Sequence, residues 1–95
     1  MALNRAVAIG EAHGPERGLE LLDQLERDES LAGYHLLPAA RAEFLHRLGR
    51  ASAARAAFDA ALALVGTEPE RRFLVRRRAE VPRLVRARRA TTRRD

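Results

Sequence analysis

Shifted by 36 residues, the first half of this chain falls on its second half, small residue on small and apolar on apolar. Ala6 meets Ala42, Ile9 meets Leu45, Gly18 meets Ala54, Leu22 meets Phe58 and Leu25 meets Ala61. A unit that recurs in this way cannot bury its apolar face alone, so consecutive units must stack. The period inside each unit is helical. Leu3, Ala6, Val7 and Gly10 form one stripe, with Ile9 beside it; Leu19, Leu21, Leu22 and Leu25 form the next. Composition supports the same reading. Of 95 residues, 19 are Ala and 14 are Leu, both strong helix formers, and only four are Tyr or Phe. A β-sandwich or barrel draws on β-branched and aromatic residues that are scarce here.

Breaks divide the chain into five helical stretches. His13-Gly14-Pro15 separates the first (Ala2 to about Ala12) from the second (Pro15 to about Arg27). Asp28-Glu29-Ser30 reads as a loop. A third helix runs from Leu31 or Gly33 to Leu48, with Leu37, Phe44, Leu45 and Leu48 as its core. Pro38 interrupts that pattern, because a mid-helix proline removes a hydrogen bond and clashes with the preceding turn. Either the helix kinks at Pro38, or Leu31–Leu37 is a separate turn and the main helix starts at Pro38. Gly49-Arg50 ends it. A fourth helix covers Ala51 to Val65 and buries Ala54, Phe58, Ala61, Leu62 and Val65. Thr67-Glu68-Pro69-Glu70 has the spacing of a capping box and opens a fifth helix. Its inner stripe is expected to be Phe73, Leu74, Arg77 and Val81, up to Pro82. The expected fold class is all-α: two antiparallel helical hairpins and a capping helix over residues 1–81. An Arg-rich tail follows over residues 82–95. A generic antiparallel helix bundle is the other arrangement open to so Ala-rich a sequence.

Charge is uneven along the chain. Residues 1–70 carry seven Arg and eleven acidic residues, a net of −4; residues 71–95 carry eleven Arg and two acidic residues, a net of +9. The cluster Arg71, Arg72, Arg76, Arg77, Arg78, Arg83, Arg86, Arg88 and Arg89 has three readings: contact with nucleic acid, contact with an acidic protein surface, or a solvated end. Phosphate tracking is possible for Arg, but no aromatic side chains are interleaved to stack bases. No cysteine is present, which removes thiolate chemistry and disulfides. His13, His35 and His46 lack metal-ligand spacing, and His35 is expected to pack beside Tyr34 between the units. Neither a nucleophile set nor a phosphate-cradling Gly loop is visible. The reading is therefore non-enzymatic, without cofactor or metal. No apolar run reaches the roughly 18 residues of a membrane span, and the expectation is a soluble cytoplasmic chain.

The second unit carries Ala42, Leu45, Gly49, Ala54, Phe58 and Ala61 at a spacing that resembles the tetratricopeptide repeat. Pro38 stands where that pattern has a bulky aromatic, and Gly66 where it has Pro. Longer strings resemble a narrower group. They are Leu3-Asn4-Arg5-Ala6-Val7-Ala8, Gly18-Leu19 with Leu21-Leu22-Asp23, Leu31-Ala32-Gly33-Tyr34-His35-Leu36-Leu37, Ala39-Ala40-Arg41-Ala42-Glu43, Arg47-Leu48-Gly49-Arg50 and Glu68-Pro69-Glu70-Arg71-Arg72-Phe73-Leu74. In this order, over residues 2–81, they are similar to the C-terminal tetratricopeptide-like region of bacterial extracytoplasmic-function (sigma-24-like) RNA polymerase sigma factors. The resemblance implies a regulatory or protein-contact module in transcription initiation, with RNA polymerase or sigma-factor components as partners. The promoter-reading regions of such factors are not among these residues, so the chain is expected to be a fragment or a stand-alone remnant. DNA contact would be indirect or through the Arg tail, and no membrane partner is expected. The exposed flank of the first unit offers a route to a homodimer. Candidate partner-binding residues are Arg5, Tyr34, Arg41, Glu43 and Arg47, on a concave face built mainly by the first helix of each unit. Arg71, Arg72, Arg76, Arg77, Arg78, Arg83 and Arg86 are candidates for nucleic-acid or acidic-surface contact.

Overall fold

A computed structural model describes residues 2–82. The described chain is all-helical: α1 (Ala2–His13), α2 (Pro15–Leu25), a 3-10 turn (Glu29–Leu31), α3 (Leu36–Arg47), α4 (Ala51–Leu62) and α5 (Glu68–Ala79). Each helix packs on the next in sequence, and α1 also reaches α3. Among the described residues no helix is long and apolar enough to cross a membrane.

Local chemistry sets the helix ends. Gly14, at φ 111°, is the whole connection between α1 and α2, and Pro15 then opens α2. At the end of α3, Gly49 adopts φ 77°. Its amide donates to the His46 carbonyl and the Arg50 amide to the Leu45 carbonyl, both at 3.0 Å, the Schellman pattern that satisfies terminal carbonyls. The Thr67 hydroxyl accepts from the Glu70 amide at 3.4 Å and caps α5, as the sequence spacing predicts. At the other end of α5, Arg55 of α4 donates to the Arg78 and Val81 carbonyls, each at 3.4 Å.

Pro38 is accommodated without a kink. α3 begins at Leu36, so Pro38 is its third residue, where the backbone amide has no partner within the helix in any case. Of the two expected arrangements the separate turn is nearer, but the turn is Glu29–Leu31 and the helix starts before Pro38. Asp28 caps that turn, accepting from the Ser30 hydroxyl at 2.8 Å and the Ser30 amide at 3.0 Å.

Two apolar clusters fill the interior. The first joins Leu3, Ala6, Leu22, Leu37 and Phe44; the second joins Ala39, Ala42, Leu45, Ala54, Phe58, Ala61, Leu74 and Val81, among others. Leu19 packs against both. Phe44 of α3 inserts between Gly10 of α1 and Gly18 of α2. A Cβ on Gly18 would lie 2.5 Å from Phe44 Cε2, and one on Gly10 would lie 2.9 Å from the Gly18 backbone as well as overlapping the ring. The repeat is visible in burial: Ala6 and Ala42, Gly18 and Ala54, and Leu22 and Phe58 are buried in both units. Ile9 and Leu25 are only half-buried, whereas their counterparts Leu45 and Ala61 are buried.

Phe73 departs from expectation. The inner side of α5 is a nearly inaccessible Leu74 and a half-buried Arg77, continued by a nearly inaccessible Val81 just beyond the helix, while Phe73 is 51% exposed. Adjacent helical residues point about 100° apart, and the stripe is centred on Leu74.

Gly18→Ala is expected to destabilise the chain by about 1–3 kcal/mol, because overpacking against Phe44 outweighs the gain in helix propensity. In urea unfolding, Gly18→Ala combined with Phe44→Ala should cost less than the sum of the two single changes, since the smaller side chain removes the clash. Ser30 holds the Asp28 carboxyl below the usual carboxylate range, through its hydroxyl first and its amide second. The stabilisation from this cap is therefore present above the ordinary carboxylate pKa and is lost as pH falls through the depressed folded value. An NMR titration of Asp28 should show this depression, and Ser30→Ala should reduce it, the amide of residue 30 keeping a part.

Candidate interaction surface

The acidic first 70 residues and the basic segment after them meet within the fold. Arg41 of α3 reaches back to α2, 2.7 Å from Asp23 and 2.6 Å from Glu26. Arg78 of α5 reaches back to α4, 2.6 Å from Asp59. A second row links the odd-numbered helices. Arg47 of α3 lies 3.0 Å from Glu11 of α1, with its guanidinium 5.5 Å from the centroid of the Phe44 ring. Arg77 of α5 is bound by Glu43 of α3 and by Glu80. Hydrogen bonds to Glu43 hold the Arg77 guanidinium above its ordinary pKa against the opposing effect of burial, and the charges of Glu43 and Glu80 add to the upward pull.

The expected partner-binding residues are thus placed differently from one another. Arg41, Glu43 and Arg47 tie this chain's own helices together. Tyr34 is half-buried ahead of α3 and meets His35 edge-on, ring centroids 5.9 Å apart. His35 in turn comes within 3.5 Å of Glu70 at the start of α5, which places it between the second unit and α5 rather than at the expected junction of the two units. Arg5 is exposed on α1 and makes no ion pair among the described residues. Of the Arg cluster, Arg77 and Arg78 are engaged with carboxylates, and Arg71 stands 4.0 Å from Glu68. Arg72 and Arg76 are exposed. Arg83 and Arg86 lie outside the described residues. The carboxylates Glu11, Asp23, Glu26 and Asp59 escape a search for isolated motifs. Their signal is relational: Asp23 and Asp59 are themselves 36 apart.

Several grooves are open among the described residues, and two of them bear on partner binding. One, of about 430 Å³, lies on the outer flank of α1 and α2, lined by Arg5, Ala6, Ile9, Leu21, Gln24 and Leu25 among others. The other, of about 310 Å³, lies between the starts of α3 and α5, where Leu36 and Phe73 are exposed beside His35 and Glu70. Among the described residues no group of three His, Asp or Glu side chains is arranged to hold a metal ion.

Over 74 residues, 78% of its length, the chain is 40% identical to an uncharacterized protein of Rhizobium meliloti (strain 1021). It spans 17% of that relative's length. No protein-family model matches the chain, and no solved structure matches it.

The geometry assigns the interhelical pairs a structural share. A double-mutant cycle on Arg41→Ala and Asp23→Ala should give a coupling of about 0.5–1 kcal/mol that shrinks at high salt, because the carboxylates are more than half exposed or nearly so. Arg72→Ala and Arg76→Ala should each change unfolding stability by less than about 0.5 kcal/mol.

Proposed function

We propose that this chain is a protein–protein interaction module made of two tetratricopeptide-like hairpins with α5 as the capping helix, serving a bacterial RNA polymerase sigma factor in the cytoplasm. The observation that carries the module reading is the repeat itself. Ala6 and Ala42, Gly18 and Ala54, and Leu22 and Phe58, each pair 36 apart, are small or apolar in sequence and buried in both units, and α5 packs on α4 and is tied to α3 through Arg77 and Glu43. Stacked hairpins of this kind leave extended faces for partners rather than a single enclosed pocket. Support for the sigma-factor assignment comes from the longer strings, above all Gly33-Tyr34-His35-Leu36-Leu37 and Glu68-Pro69-Glu70-Arg71-Arg72-Phe73-Leu74, which lie outside the general repeat pattern. The chain's small share of its much longer relative is compatible with a module that works alongside other regions. Its role would be regulatory contact in transcription initiation, without reading a promoter.

Engagement of Arg77 and Arg78 by carboxylates of the chain itself weighs against an interface with nucleic acid centred on α5. The discriminating experiment is a pull-down of core RNA polymerase, with and without the promoter-reading region of a matching sigma factor. It is run at about 50 and about 300 mM salt with random DNA as competitor. The full chain is compared with one ending at Val81. The expected result is retention of a polymerase or sigma component by both forms at the higher salt. Binding that requires residues 82–95 and disappears with salt or DNA would replace this reading with nucleic-acid binding through the Arg tail.

A further inference from the structure

Arginine recurs at the 36-residue offset: Arg5, Arg41 and Arg77 occupy equivalent positions, followed by Ala6, Ala42 and Arg78. In the second unit this arginine grips the preceding even-numbered helix, Arg41 binding Asp23 and Glu26 of α2. At α5 the grip recurs one residue later, Arg78 binding Asp59, the counterpart of Asp23. Beside Arg41, Ala42, Leu45, Ala57 and Ala61 are buried. Their counterparts beside Arg5 are Ala6, Ile9, Leu21 and Leu25, and these line the open groove on the outer flank, with all but Ala6 only half-buried. Leu19 of α2 packs against the cluster that holds this buried set, so the first unit presents an open counterpart of a face that α2 meets in the second.

We infer that this flank is the seat of an acidic amphipathic helix from a partner protein, one that presents Leu-x-x-x-Asp-x-x-Glu as α2 does through Leu19, Asp23 and Glu26. The leucine enters the groove over Ile9, Leu21 and Leu25, and the carboxylates meet Arg5. A second copy of this chain does not fit that description. The acidic edge of α2 is already bound by Arg41 and that of α4 by Arg78. The chain's own C-terminal segment has the wrong charge, with six Arg and one Asp over residues 83–95. This inference rests on the repeat-module reading and names the chemistry of its partner, but its test contains no polymerase, so the two can fail separately.

The probe is a peptide of the α2 sequence, residues 15–28, stapled across the positions of Glu16 and Glu20 to hold it helical. It is titrated into the isotope-labelled full chain and followed by NMR. Shift changes are expected at Arg5, Ile9, Leu21 and Leu25. Arg5→Glu should weaken binding about tenfold or more while leaving the spectrum away from the flank unchanged, because Arg5 is exposed. A peptide with Asp23→Lys and Glu26→Lys should bind the Arg5→Glu chain better than it binds the unaltered one. The charge-swapped peptide against the unaltered chain tests the same grip even if the variant fails to fold. The inference is overturned by an absence of binding up to ~1 mM peptide, by shifts confined to another face, or by equal affinity for both charge patterns. A concentration-dependent dimer in analytical ultracentrifugation that Arg5→Glu abolishes would also overturn it, by giving the flank to a second copy.

Discussion

Phe44 can enter the first hairpin only because Gly10 and Gly18 leave no side chains in its path. That slot couples three helices. α1 and α2 approach closely enough for the backbone of one glycine to confront the other, and the ring of α3 closes the gap. A chain of this size has little apolar surface to bury, so a single aromatic that seals a junction between units has a large share in the total. Phe58 does comparable work in the second cluster, where alanines on α3 and α4 allow a similar approach. Leu19 of α2 touches both clusters and Leu37 and Phe44 of α3 belong to the first, so the two hairpins share their interior.

On this apolar frame many of the described charges are arranged as links between helices. Carboxylates of the first two-thirds of the chain meet arginines that follow them by one helix or two. Individually such half-exposed pairs are weak, but each joins different helices and so helps define which face meets which. The pairing also changes the meaning of the Arg-rich segment. An Arg already hydrogen-bonded to Glu43 or Asp59 is a poor candidate for a phosphate contact, since a new partner must first displace the old one. Among the described residues the grooves that stay open are lined mainly by apolar side chains and edged by charge.

Much of the fold could be read directly. The five helices, the Gly14-Pro15 break, the Gly49 stop and the Thr67 cap follow from local rules that involve only neighbouring residues. The small-residue positions of the repeat followed from the offset alone. Misreadings arose where a choice depended on what lay across the helix. The sequence pattern puts Phe73 on the inner stripe with Leu74, Arg77 and Val81, yet α5 turns Leu74 to the core and leaves Phe73 at a groove edge. Pro38 looked like a break within a helix and proved to be part of a first turn. The candidate binding residues were the least legible: a charged residue on a helix face carries no mark of whether its partner belongs to the same chain.

Sequence by itself determined the helical class, the repeat and the helix ends, because helix propensity, capping and apolar periodicity act over a few residues at a time. Tertiary structure decided which arginines are bound by carboxylates of other helices, and why equivalent positions differ in burial. Ile9 and Leu45 occupy the same place in their units, but the second unit has a helix in front of it and the first unit's flank is open. That difference is a property of neighbours in space, and only the packed arrangement of the units supplies it.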